Sequence, residues 1–229
     1  MNSSLQRCLH GKILTMPRQR NSDRLARSRR SRTTDLNRRT AIRERNERYS
    51  VLIYCEGKTE KNYFTGMRTR HGPQIDVVCP EVDHVSVVRE AGNRATAANG
   101  ADVPYNSVWC VLDTELDADL VKSVREESGR ANVSIAFSCP SFELWLILHL
   151  DDYTRPFQTA DEAKKALRHL RPGWSEQNTC FADFKPGLGD ALARARNLDP
   201  SGENPLRNPS SGVWRLVELI TPHAEQGCS

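Results

Sequence analysis

The chain has 229 residues, 38% hydrophobic and 27% charged, with a net charge of +4. That suffices for one core-forming domain with chain to spare. No apolar run approaches the roughly 18 residues of a membrane helix, and the first residues lack the continuous apolar stretch of a signal peptide. The sequence therefore reads as cytoplasmic, with no membrane partner.

The seven cysteines (8, 55, 79, 110, 139, 180 and 228) contain no C-x-x-C pair. Four of them lie in or beside apolar runs, where a thiol packs as a small hydrophobe. This spacing argues against a zinc site or a disulfide framework.

Charge is unevenly distributed. Residues 1–48 carry 14 Lys+Arg against 4 Asp+Glu, whereas residues 49–229 carry 19 against 25. A basic arm on a mildly acidic body is a common footprint of nucleic-acid contact. The competing reading is a solvated tail, since no aromatic residues interleave the arginines to stack on bases. The arm has no sustained hydrophobic period and is expected to be mostly disordered, with one helix in TAIRERNER.

Order is expected from Tyr49 onward. RYSVLIYCEG reads as a buried strand ended by Gly57, and KTEKNYFTGMRTRHG as a helix with Thr59 as N-cap. QIDVVCPEV is a second strand, and HVSVVREAGNRATAANG a second helix. SVWCVLDTE is a third strand, followed by the amphipathic helix LDADLVKSVREESGR. NVSIAFSCP is a fourth strand, and SFELWLILHLDDY a short helix apolar on most faces, hence buried. After Pro156 come helices in TADEAKKALRHLR and LGDALARARNL. Between them lies a loop whose Trp174, Phe181 and Phe184 read as core, as does Trp145 earlier. NPSSGVWRLVELI closes as a helix with Ser210 or Ser211 as cap. Continuous apolar strands alternating with helices predict a parallel sheet covered on both faces.

In such sheets ligands bind beyond the carboxyl ends of the strands. Glu56 ends the first strand. Asp113 ends the third, with Glu115, Asp117 and Asp119 close behind. Carboxylates gathered there cannot all ionise without a compensating charge. A hard divalent cation supplies it, magnesium above all, with manganese as the alternative. The chemistry this supports is phosphoryl transfer or phosphodiester hydrolysis. Each residue also has an ordinary reading: Asp113 or Asp117 can cap the following helix.

These residues carry a resemblance. IYCEGKTEKNYF resembles the first motif of a Toprim domain, and VWCVLDTELDAD its second, acidic motif, usually written DxD. Together with SCPSFELWLILHL, DFKPGL and NPSSGVWRLVELI, they make residues 38–220 similar to the RloB-like family, which includes the AbiL abortive-infection component. The resemblance implies a metal-dependent Toprim effector of anti-phage defence, working beside a partner ATPase. It implies Glu56 as general acid/base or metal-site carboxylate, and Asp113 and Glu115 as metal ligands. Glu115 stands where the family usually has aspartate and is one methylene longer. Asp117, with the shorter side chain, is the alternative ligand.

Other candidates are weighed singly. Gly57 permits a sharp turn or a close approach. Lys58 either meets a substrate phosphate or is an exposed helix-start lysine. Glu60 either joins the site or favours the positive helix end, and local physics prefers the second. Glu143, among residues that should be buried, needs a partner or a metal: it reaches the acidic site or pairs with Ser141. His149 reads as a structural contact at a helix end. Lys185 and Asn208 lie in family-like segments and are candidate phosphate contacts. No P-loop is present, so any ATPase activity belongs to a partner.

The expected architecture is a Toprim-like α/β fold with a mostly parallel four-stranded sheet. The basic arm spans residues 1–48, the α/β core 49–156 and a helical extension 157–229. The expected activity is a magnesium-dependent nuclease on DNA or RNA; the alternative is a non-catalytic module docking on an ATPase.

Overall fold

The computed structural model describes residues 48–101 and 103–221. The expectations for the basic arm, its disorder and the TAIRERNER helix, lie outside the described residues.

The apolar runs form the strands expected of them: β1 (Ser50–Cys55), β2 (Gln74–Val78), β3 (Ser107–Asp113) and β4 (Ser134–Cys139). Residues 51–55 of β1 are all buried, as a strand covered on both faces requires. The helices between them are α1 (Lys58–Gly66), α2 (His84–Gly100) and α3 (Ala118–Ala131). The buried α4 (Glu143–Leu148) follows β4, and the extension supplies α5 (Ala160–Leu170), α6 (Phe181–Phe184), α7 (Leu188–Leu198) and α8 (Val213–Ile220).

The sheet runs β2-β1-β3-β4-β5, with the first four strands parallel. The fifth, β5 (Ser210–Ser211), pairs antiparallel with β4 and corrects the four-strand expectation. Two residues are too few for a strand period to show in sequence. Ser138 and Ser211 hydroxyls meet at 3.1 Å across this pair. Gly212, not Ser210 or Ser211, is the N-cap of α8, although Ser211 Oγ accepts the Val213 N–H at 3.4 Å. Similarly, Gly57 replaces Thr59 as the N-cap of α1, and Thr59 is buried in the first turn.

Two apolar layers flank the sheet. On one face Leu52, Tyr54, Cys110, Leu112 and Phe137 pack against α2 and α3 through Val87, Val88, Val121 and Val124. On the other, Val51, Ile53, Trp109 and Val111 share a core with α1, the buried α4 and the helices of the extension. Trp145, Trp174, Phe181 and Phe184 all belong to this core. The five cysteines among the described residues are free thiols.

From β1 the chain goes to β2 on one side, and β3 returns on the other. The β1/β3 gap is therefore the topological switch point, where a crevice opens between helices lying on opposite faces. Cys55 pairs with Val111, which brings Glu56, just beyond β1, and Asp113, the last residue of β3, to the same end of the sheet.

Candidate metal centre at the switch point

Glu56 follows the last residue of β1 and stays half-buried, its side chain 27% exposed. Its Oε2 accepts the Asp113 backbone N–H at 3.1 Å. The first carboxylate of the site is thus held by the backbone of the second. His84, the first residue of α2, brings its Nε2 to 2.9 Å from the same oxygen. That nitrogen is shielded from solvent and makes no aligned hydrogen bond to any described residue. Pairing with the Glu56 carboxylate raises the imidazole pKa, against the opposing effect of burial.

Beyond β3 the backbone turns sharply. Thr114 N–H donates to Ser138 O at 2.9 Å and Glu115 N–H to Pro140 O at 3.1 Å, tying the turn to the end of β4. Glu115 and Leu116 then take φ of 49° and 61°. Such left-handed backbone costs a non-glycine residue about 1–3 kcal/mol and tends to cluster at active sites and ligand clamps. The turn swings the exposed Glu115 toward Glu56 and His84, and one ligand atom from each of the three lies within 4.8 Å of the others. Asp117 takes no part in that trio. Its Oδ1 accepts Asp119 and Leu120 N–H groups at 2.8 and 3.0 Å, so it is the N-cap of α3.

Deeper in the crevice stands a second group of carboxylates. Glu60, one turn into α1, is 5% exposed, and its Oε2 has no hydrogen-bond partner among the described residues. Burial and the charges of Glu143 and Glu56 push its pKa up to about 8. Asp113 Oδ1 is likewise shielded and unpartnered. Burial, then the charges of Glu60, Glu56 and Glu143, hold the Asp113 pKa well above the carboxylate range. Glu143, at the start of α4, accepts the Ser141 hydroxyl at 2.6 Å, and burial raises its pKa too. Of its two expected roles the pairing with Ser141 is the one seen, and its charge also contributes to the raised pKa values of Glu60 and Asp113.

Gly57 explains how Glu60 fits. A Cβ at residue 57 would stand 2.8 Å from Glu60 Oε2. Its backbone is extended, with φ of −124°, so the glycine serves close approach and not an unusual turn. On the other side, Lys164 of α5 bonds Glu176 at 2.9 Å. That bond raises its pKa first, and the charges of Glu143 and Asp113 add to the effect.

Two of the remaining candidates are exposed lysines. Lys58 is exposed at the first position of α1. Lys185 is exposed just after α6. Asn208 has a job other than phosphate binding: its amide accepts Phe157 N–H at 3.0 Å and donates to Phe157 O at 2.6 Å. His149 is structural, as expected. Its Nδ1 lies 2.7 Å from Phe184 O and its Nε2 3.0 Å from Tyr63 Oη.

His84 and Lys164 were not legible as site residues; Glu60 was, but the preferred reading, a role at the helix end, does not account for its burial. It falls on the same helical stripe as Tyr63, Phe64 and Met67, at the spacing of one buried face.

A five-stranded, mostly parallel α/β sheet with acidic side chains converging on its switch point defines the class. The model of the RloB-like protein family matches residues 51–220, most of the chain, and the protein belongs to that family. Neither a curated protein nor a solved structure matches it significantly.

Proposed function

We propose that this protein is a divalent-metal-dependent Toprim-type nuclease acting on DNA or RNA. The observation that carries the reading is the pair of buried, unpartnered oxygens, Glu60 Oε2 and Asp113 Oδ1, inside a ring of further carboxylates. A buried carboxylate without a partner is costly, and several together repel. A cation between them removes both penalties, so the donor set fits a divalent metal, and oxygen donors suit Mg²⁺ or Mn²⁺. Asp113, Glu60 and Glu143 would hold it. When bound, such an ion polarises a phosphoryl oxygen and lowers the pKa of water.

The chain's own residues supply the rest. Glu56 is fixed by the Asp113 amide at the mouth of the crevice, where a carboxylate can take a proton from an attacking water or return one to the leaving oxygen. Lys164 borders the site as a fixed positive charge for a phosphate. The family resemblance extends the proposal to anti-phage defence beside a partner ATPase.

The test is cleavage of labelled single- and double-stranded DNA and of total RNA, with Mg²⁺ or Mn²⁺ and with EDTA. Glu56→Gln and Asp113→Asn run alongside, each checked for folding by circular dichroism. Metal-dependent cleavage should fall at least about a hundredfold in both folded variants, since Lewis-acid stabilisation is worth several kcal/mol. Glu115, longer than the usual aspartate and exposed, favours a second reading, a non-catalytic module docking on the ATPase. Metal binding without cleavage, with and without the ATPase, would select it.

A further inference from the structure

We propose that His84 joins Glu56 and Glu115 in a mixed nitrogen–oxygen centre that takes a first-row transition-metal ion in preference to Mg²⁺. The inference deepens the metal-dependent reading above and rests on it.

Three observations from different elements carry it. One ligand atom from each of the three side chains lies within 4.8 Å of the others, and they come from the ends of β1 and β3 and from the start of α2. His84 Nε2 is shielded from solvent and lies 2.9 Å from Glu56 Oε2 without an aligned hydrogen bond. That separation is an ion pair when the imidazole is protonated, and it is equally the spacing of two neighbouring donors on one metal ion. Independently, Glu60, 5% exposed, turns its unpartnered Oε2 toward Gly57, the residue after Glu56. The turn that carries Glu56 thus also borders a buried, unpartnered oxygen.

Donor chemistry decides the ion. Mg²⁺ keeps to oxygen ligands and gives up its waters reluctantly. Imidazole suits the later first-row ions, and affinity rises along that series from Mn²⁺. One imidazole with two carboxylates is therefore a poor magnesium site and a good transition-metal site. The left-handed backbone at Glu115 and Leu116 has a purpose here, since it returns the longer Glu115 side chain toward α2.

The experiment uses the full chain, stripped with EDTA and titrated with Mn²⁺, read by electron spin-echo modulation and by competition with excess Mg²⁺. Wild type should show ¹⁴N modulation from an imidazole that millimolar Mg²⁺ does not remove. His84→Asn should abolish the modulation and weaken Mn²⁺ binding at least tenfold, a loss that even outer-shell changes can reach. Bound Mn²⁺ without nitrogen coupling in the wild type would overturn the proposal, leaving His84 as an ion-pair partner of Glu56 and the nuclease reading intact. Coupling that persists in His84→Asn would place the ion on another histidine and overturn it equally. No Mn²⁺ binding at all would overturn both this proposal and the reading beneath it. The wild-type spectrum alone decides the matter if the variant fails to fold.

Discussion

At the scale of single residues, Glu60 gives the metal-free protein a liability that can be measured. Its folded-state pKa of about 8 lies above the ordinary 4.5. Between those values the native chain holds a proton that the unfolded chain has released. Stability therefore falls as pH rises across that window, and the contribution is lost above it. Glu60→Gln should flatten this limb, so that in EDTA the variant melts above wild type at pH 9. Saturating Mn²⁺ should restore the wild type by mass action. Melting curves from pH 5 to 9 check this, and parallel slopes in the two proteins would refute it. Gly57→Ala probes the same carboxylate from outside. An extended φ of −124° accepts alanine without strain, while the new Cβ collides with Glu60 Oε2. The melting temperature should stay within a few degrees and metal affinity should drop. A variant with unchanged affinity would show that Glu60 can move aside freely.

At the scale of elements, His149 joins three helices. It ends α4 and spans from Tyr63 of α1 to Phe184 of α6. Burial lowers its pKa from 6.5 to about 4, so the neutral ring donates through Nδ1 to the Phe184 carbonyl and accepts the Tyr63 hydroxyl at Nε2. Below pH 6.5 the unfolded chain binds a proton that the native chain refuses. Stability must then fall with pH from 6.5 towards 4, by up to about 3 kcal/mol for this one group. His149→Phe should remove that acid limb. It should also cost about 2–4 kcal/mol at pH 7, because a buried carbonyl and hydroxyl lose their partner. Urea unfolding at pH 5 and pH 7 measures both. The elements also mark where sequence reading stops. Apolar runs broken by Glu56 and Asp113 announce strand ends, because a strand buried on both faces tolerates a carboxylate only where it leaves the sheet. His84 meets Glu56 from the start of α2, and Lys164 feels the charges of Glu143 and Asp113 from the middle of α5. Nothing local at either residue reports that meeting, which is set by strand order and by where the extension packs. β5 is invisible for a similar reason, since two serines become a strand only when β4 offers its edge.

At the scale of the whole molecule, charge poses a problem that the proposed activity must solve. Residues 49–229 carry 25 acidic groups against 19 basic ones, and the candidate site gathers Glu56, Glu60, Asp113 and Glu143. A polyanion gains nothing by approaching it until metal is bound. Residues 1–48, with 14 basic groups against 4 acidic, have the opposite sign and enough charge to hold several phosphates. Binding through such an arm is largely counterion release and insensitive to base sequence. Each phosphate contact contributes about 0.9 to the slope of log affinity against log salt on B-DNA and about 0.7 on single strands. Deleting residues 1–38 should therefore weaken nucleic-acid binding on every sequence tested and make the slope shallower by several such steps. Turnover at saturating substrate should survive, because the carboxylates are untouched. Fluorescence anisotropy at several salt concentrations, paired with the cleavage assay, separates these effects. Equal slopes for the full and shortened chains would free the arm from nucleic acid.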